Sequence, residues 1–156
     1  MASHNTITIK GDGIRKEALA SGTPYPGHLL ERASATEFKV HATSGGNCYP
    51  FFAVEDDLQG NGIADAYVAA RQIVACIFRP GDEVLAVLAE DEDVSVGDYL
   101  MSNGNGELKK LTAQDLAASA GSVYPRRAVA VALEAMDLSA SAAVALASRR
   151  LHVEII

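Results

Sequence analysis

An all-β barrel or sandwich with little helix is the fold class this sequence predicts, on three observations. Roughly ten short apolar or alternating runs are separated by Gly, Pro and Asn turn clusters, the spacing of a many-stranded β protein. A cassette occurs twice: Pro26-Gly27-His28-Leu29-Leu30 through Tyr49-Pro50 to Phe51-Phe52-Ala53-Val54-Glu55, and Val96-Gly97-Asp98-Tyr99-Leu100 through Tyr124-Pro125 to Val129-Ala130-Val131-Ala132-Leu133-Glu134. Each copy reads as turn, short strand, hairpin, second strand, polar loop, Tyr-Pro and an apolar strand ending in Glu. Helical character is confined to brief segments.

The first run, Thr6-Ile7-Thr8-Ile9-Lys10, alternates and reads as a strand. Gly11-Asp12-Gly13 is a turn signal, and the polar segment 14–23 separates this strand from the rest. Residues 1–23 are therefore expected to form an N-terminal arm and residues 24–156 a single β-rich domain. The body opens at Pro26-Gly27, where Pro fixes one φ and Gly admits a positive one. Glu37-Phe38-Lys39-Val40-His41 alternates as a half-buried antiparallel strand, and Tyr49 to Val54 forms another. Residues 56–70, broken by Gly60-Asn61-Gly62, read as a short helix or an ordered excursion.

Gln72 to Phe78 is a continuous apolar strand, with Glu83 to Ala89 as its antiparallel neighbour across the Arg79-Pro80-Gly81-Asp82 turn. Tyr99 to Ser102 and Glu107 to Leu111 are joined by Asn103-Gly104-Asn105-Gly106, a strong hairpin signal. Residues 112–118 fit a brief helix, 128–135 a strand, and 139–148 a small-residue loop or helical turn. Leu151-His152-Val153-Glu154-Ile155-Ile156 is a last strand, expected to pair inside the sheet, so truncating it should be damaging.

With 156 residues, the chain is long enough for one domain that buries about two-thirds of its unfolded surface. It is 49% hydrophobic and 6% aromatic with no Trp, so Ala, Val, Leu and Ile must fill the core. A net charge of -7 and Lys and Arg in isolated pairs exclude nucleic acid as the main partner, since phosphate binding needs clustered cations. No apolar run reaches membrane-spanning length, and the start lacks the segments of a secretory signal. The expected site of synthesis is a reducing cytoplasm, with Cys76 as a buried free thiol and a pairing with Cys48 left open.

Candidate chemistry is thin. Asp57-x-Gln59-x-Asn61-Gly62 starts like a calcium loop but has Val68 where the bidentate Glu belongs. His28, His41 and His152 lack metal-ligand spacing and read as surface histidines. No activated nucleophile or phosphate cradle is present, and Glu90 to Asp93 reads as a solvated acidic loop. The chain is expected to act without catalysis, metal or cofactor.

Taken in order, Pro26-Gly27-His28-Leu29-Leu30-Glu31-Arg32, His41-Ala42-Thr43-Ser44-Gly45-Gly46-Asn47, Phe52-Ala53-Val54-Glu55-Asp56-Asp57-Leu58-Gln59-Gly60, Arg79-Pro80-Gly81-Asp82-Glu83-Val84, Val96-Gly97-Asp98-Tyr99-Leu100 and Asn105-Gly106-Glu107-Leu108 resemble the head decoration (capsid cement) proteins of tailed bacteriophages. The resemblance implies a β-tulip-like body with an extended N-terminal arm. It also implies a place on the outer surface of the virion head, at junctions of the major capsid protein, resisting the pressure of packaged DNA. A homo-oligomer is implied, a trimer favoured and a dimer possible, with no membrane or direct nucleic-acid partner. Thr6, Ile7, Thr8, Ile9 and Lys10 would then add a strand to an exposed capsid edge, with Ile7 and Ile9 in apolar pockets; the alternative is that they form the first strand of the body. Competing functions are a tail or baseplate component and a small ligand-binding or enzymatic barrel using residues 56–70.

Overall fold

The computed structural model describes residues 4–112, 128–140 and 143–156. Thirteen strands occur among them: β1 (Thr8–Lys10), β2 (Ile14–Ala20), β3 (Leu30–Arg32), β4 (Glu37–Val40), β5 (Phe51–Ala53), β6 (Gln72–Ile77), β7 (Glu83–Val87), β8 (Asp93–Val94), β9 (Tyr99–Ser102), β10 (Leu108–Lys110), β11 (Ala128–Ala132), β12 (Met136–Asp137) and β13 (Arg150–Ile155). Helical structure among the described residues is limited to two 3-10 turns, Asp57–Gln59 and Leu146–Arg149. The fold is all-β, as the turn spacing predicts. The Tyr124-Pro125 of the second cassette and most of the short helix expected over 112–118 lie outside the described residues.

Five strands form one sheet in the order β3-β4-β2-β6-β5, and six form another in the order β1-β7-β13-β11-β9-β10; β8 and β12 make a small ribbon. Neither main sheet closes by a continuous ladder. The barrel expected from sequence is therefore two open, curled sheets, each drawn round by one bridge. Leu29 to Phe52 joins the end strands β3 and β5 of the first, and Leu88 to Leu108 joins β10 to the end of β7 in the second, with β1 outside that circuit. Strands of three residues, as in β3, β5 and β10, are too short to carry the closure further.

The doubled cassette has a structural counterpart that reaches beyond it. In the first unit β3 pairs antiparallel with β4 (Leu30 opposite Val40), and in the second β9 pairs with β10 (Leu100 opposite Lys110). The apolar strand that follows returns beside the first hairpin strand in both, β5 through the Leu29–Phe52 bridge and β11 through Leu100–Ala130. It then pairs with the next long strand, β5 with β6 (Phe51 opposite Ile77) and β11 with β13 (Ala130 opposite Ile155). That strand pairs in turn with β2 (Gln72 opposite Leu19) or β7 (Arg150 opposite Val87). The circuit ends in a parallel contact, Ala20 with Phe38 and Leu88 with Leu108. Partner by partner, Leu19 corresponds to Val87, Glu17 to Leu85 and Arg15 to Glu83.

The segment 14–23, expected to be a polar connector, contains β2, the longest strand. Its alternation was masked by composition: Lys16, Ala18 and Ala20 are its less exposed set, Arg15, Glu17 and Leu19 its exposed one.

Packing is organised around two apolar clusters. The larger contains Ile7, Leu29, Phe52, Phe78, Leu88, Leu100, Leu108 and Val153, drawn from both units. The smaller lies in the first unit around Phe38, Phe51 and Ile73. Strand periodicity divides them: Phe52 faces Phe78 (ring centroids 6.2 Å), while its neighbour Phe51 meets Phe38 edge-on at 4.7 Å and stacks on Tyr49 at 5.4 Å. The last strand, β13, lies between β7 and β11 in the interior of its sheet.

Candidate interaction surface

The residues that the sequence nominated for partner binding are folded onto the body. β1 is an edge strand antiparallel to β7, with Thr8 opposite Val84 and Lys10 opposite Glu83. Two steps on β1 against one on β7 make a bulge, which bends the edge. Ile7, just before β1, is 0% exposed and belongs to the larger core. Its carbonyl accepts from Leu85 N–H (2.8 Å), and its N–H donates to Glu55 Oε2 (2.9 Å). Lys10 Nζ reaches Glu83 Oε1 at 2.7 Å, and His152 Nε2 lies 2.8 Å from the other carboxylate oxygen. The lysine holds the Glu83 carboxyl below its usual range, with the His152 contact adding to the shift.

Over residues 6–23 this corrects the reading of the segment 1–23 as an arm. Residues 6–10 lie against the body, with Thr8–Lys10 as its first strand, and β2 is an internal strand of the five-stranded sheet. Ile7 fills a pocket in its own chain because that pocket, lined from β7, lies next to it. What this segment presents to the outside is Thr6, Lys10 and the outer edge of β1.

The other sequence candidates are dispersed. His28 and His41 are buried, contrary to their expected surface positions. His28 Nδ1 accepts from Tyr25 N–H (3.2 Å), and burial beside the guanidinium groups of Arg149 and Arg150 lowers its pKa to about 4. Arg149 binds Leu88 O (3.3 Å) and Glu107 (2.8 Å), while Arg150 donates to the carbonyls of Pro26 and Ile63. Arg150 thus clamps the first-unit turn to the second unit, while Arg149 braces the second unit internally. Nothing in the local pattern revealed the Arg150 contacts, because their acceptors are distant backbone carbonyls.

Residues 56–70 border a cleft of about 340 Å³ lined by Asp56, Gln59, Asn61, Asp65, Tyr67 and Arg71, among others. Tyr67 donates its hydroxyl to Val54 O at 2.5 Å, and burial raises its pKa to about 12. Among the described residues, no group of three or more His, Cys, Asp or Glu is arranged to hold a metal. Cys48 and Cys76 are both buried, and no disulfide links them. The acidic run is more ordered than a solvated loop: Glu92 accepts from Lys110 N–H (3.0 Å), and Asp93 begins β8. No helix among the described residues is long and apolar enough to cross a membrane.

What remains is a β scaffold of two similar units with exposed strand edges and apolar side chains standing in solvent, among them Ile14, Leu19, Leu58, Val68, Val96 and Tyr99. Its architecture is similar to that of the head fiber gp8.5 N base of bacteriophage phi29, with a TM-score of 0.53 over 92% of this chain and 93% of that one, at 11% identity. That is a likeness of fold. No protein-family model and no curated protein sequence matches the chain.

Proposed function

We propose that this chain is a structural protein of a tailed-phage head, and more specifically a decoration protein that binds the outer capsid surface and stabilises it against internal pressure. The observation that carries the reading is the fold likeness over nearly the whole chain to the base of a phage head fiber, reached independently of the ordered turn motifs that resemble capsid cement proteins. The partner is the major capsid protein, and the role is binding without turnover. A homo-oligomer, trimeric or dimeric, would multiply weak contacts into stable attachment through effective concentration. The acidic balance suits a protein crowded at high density on a particle.

Co-sedimentation with purified expanded heads tests this, followed by heat and osmotic challenge of loaded and bare particles. Association with raised resistance to rupture is the expected result; no association, or association without protection, removes the decoration role. A second reading, the attachment base of a projecting fiber, is favoured by the nature of the structural neighbour. Electron microscopy of loaded heads separates the two, a compact knob marking decoration and a projecting filament marking a fiber base.

A further inference from the structure

The internal duplication exposes an asymmetry between its two units. In the second unit the outward edge of β7 is occupied: β1 lies along it, and Leu85 N–H donates to Ile7 O at 2.8 Å. The counterpart of Leu85 in the first unit is Glu17 of β2. There β4 runs alongside β2 only at Leu19 and Ala20, where Leu19 N–H donates to Thr36 O at 3.0 Å. Strand alternation places the amides of Arg15 and Glu17 on the same side as that of Leu19, beyond the point where β4 diverges. Among the described residues no strand pairs with β2 there. An open groove of about 440 Å³ marks the divergence, lined by Glu17, Ala18, Leu19, Ala35, Thr36 and Gln72. Apolar side chains flank this edge, Ile14 at 47% and Leu19 at 44% exposure.

We propose that the β2 edge at Arg15 and Glu17 is a vacant strand-acceptor site, equivalent to the one β1 fills on β7, and that it takes an extended segment of a partner protein with a carboxylate opposite Arg15. The register supplies the chemistry. On β7 the residue facing the added strand's charge is Glu83, and β1 meets it with Lys10. On β2 the corresponding residue is Arg15, so the complementary charge is reversed. Its exposed guanidinium meets its strand neighbour Glu17 at 3.1 Å, a solvent-screened pair that a strand partner's carboxylate can replace. A second copy's β1 does not fit: it would bring Lys10 against Arg15, and its Ile7 is already committed to its own core. Arg15, Lys16 and Glu17 also deter indiscriminate edge pairing, which leaves the site open to a strand of matching charge. Backbone hydrogen bonds would provide affinity, and the Arg15 contact selectivity.

Only the source of the strand rests on the head-attachment reading, so the test has two arms. In the first, the intact protein is titrated with two synthetic peptides, Thr-Ile-Thr-Ile-Glu and Thr-Ile-Thr-Ile-Lys, while amide hydrogen exchange is followed by NMR. In the free protein the Glu17 amide should exchange far faster than the ladder-bonded amide of Lys16, and the acidic peptide alone should slow it. A Glu17 amide already protected, no response to either peptide, or an equal response to both would overturn the proposal. The second arm compares head occupancy of the wild type, Glu17→Pro, Glu17→Ala and Arg15→Glu. Proline at residue 17 removes an outward N–H together with the exposed carboxylate that meets Arg15 (3.1 Å) and Gln72 (2.7 Å), so folding should survive. Measured against Glu17→Ala, which loses the same carboxylate but keeps the N–H, loss of one backbone bond should lower head affinity about tenfold. Arg15→Glu, which leaves the backbone unaltered, should weaken binding in the same direction. Heads that bind wild type, Glu17→Pro and Arg15→Glu equally overturn the capsid as strand donor; heads that bind none of them overturn the head-attachment reading, and the peptide arm still decides the site.

Discussion

His41 Nδ1 lies 2.7 Å from the Ser102 hydroxyl, a buried contact that ties the hairpin of the first unit to that of the second. The proton positions follow from the neighbours. His41 Nε2 is 2.9 Å from Asn47 O, which only accepts, so Nε2 carries the proton and Nδ1 accepts from Ser102. Ser102 Oγ in turn accepts from Gly104 N–H at 3.1 Å. Ser102→Ala strands the buried His41 Nδ1 and the half-buried Gly104 N–H at once. We expect a loss of about 1–3 kcal/mol, read by urea denaturation, with the fold retained.

The buried His28 gives stability a defined pH window. Its ring faces Arg149 and Arg150 from the second unit and the Tyr25 backbone from its own turn, and its folded pKa is about 4 against 6.5 for the free side chain. The unfolded chain binds a proton near pH 6.5 that the folded chain refuses until about pH 4. Stability from this group is therefore complete above pH 6.5 and drains away as pH falls toward 4, by about 3 kcal/mol in all. Glu83, Asp98 and Asp137, whose pKa values are lowered from 4.5, 3.8 and 3.8, act in a more acidic window. Melting temperature against pH should fall across the upper window in the wild type and be flat there in His28→Gln.

Gly27 and Gly97 open the two cassettes with nearly the same backbone, φ 94° and 90°. A Cβ at Gly27 would sit 2.9 Å from Leu85 O, whereas one at Gly97 meets nothing within 4 Å. Gly97→Ala should cost about 1–2 kcal/mol, the strain of a positive φ. Gly27→Ala should cost clearly more, because the clash with a sheet carbonyl adds to that strain. Paired denaturation curves check the ordering.

Removing residues 1–10 should destabilise the protein, since it empties the Ile7 site and uncovers the β7 edge. Ile7→Ala alone should cost about 2–5 kcal/mol, whereas Lys10→Ala, losing an exposed ion pair, should cost at most about 1 kcal/mol. Thermal melts distinguish these. Equal effects of the two substitutions would mean that β1 is held by charge instead of burial.

Much of the architecture was legible because it is written in local code. The Asn103 to Gly106 turn, the alternation around Phe38 and the apolar run of β6 each predict their own conformation. β2 was not legible, since its inward face is Lys and Ala, and no local pattern separates that from a linker. The candidate surface was misread for a related reason: an alternating Ile strand looks the same whether its apolar face meets its own core or a partner's.

The sequence by itself determined that this is an all-β chain built on a repeated cassette, because turn residues and side-chain periodicity act over a few neighbours. Only the tertiary structure decided that the repeat extends to two five-stranded circuits, that the first strand covers the edge of one of them, and that among the described residues no strand pairs with the equivalent stretch of the other. Those outcomes depend on backbone groups brought together from distant parts of the chain, and hydrogen bonding between such groups leaves no mark on the side chains that flank them.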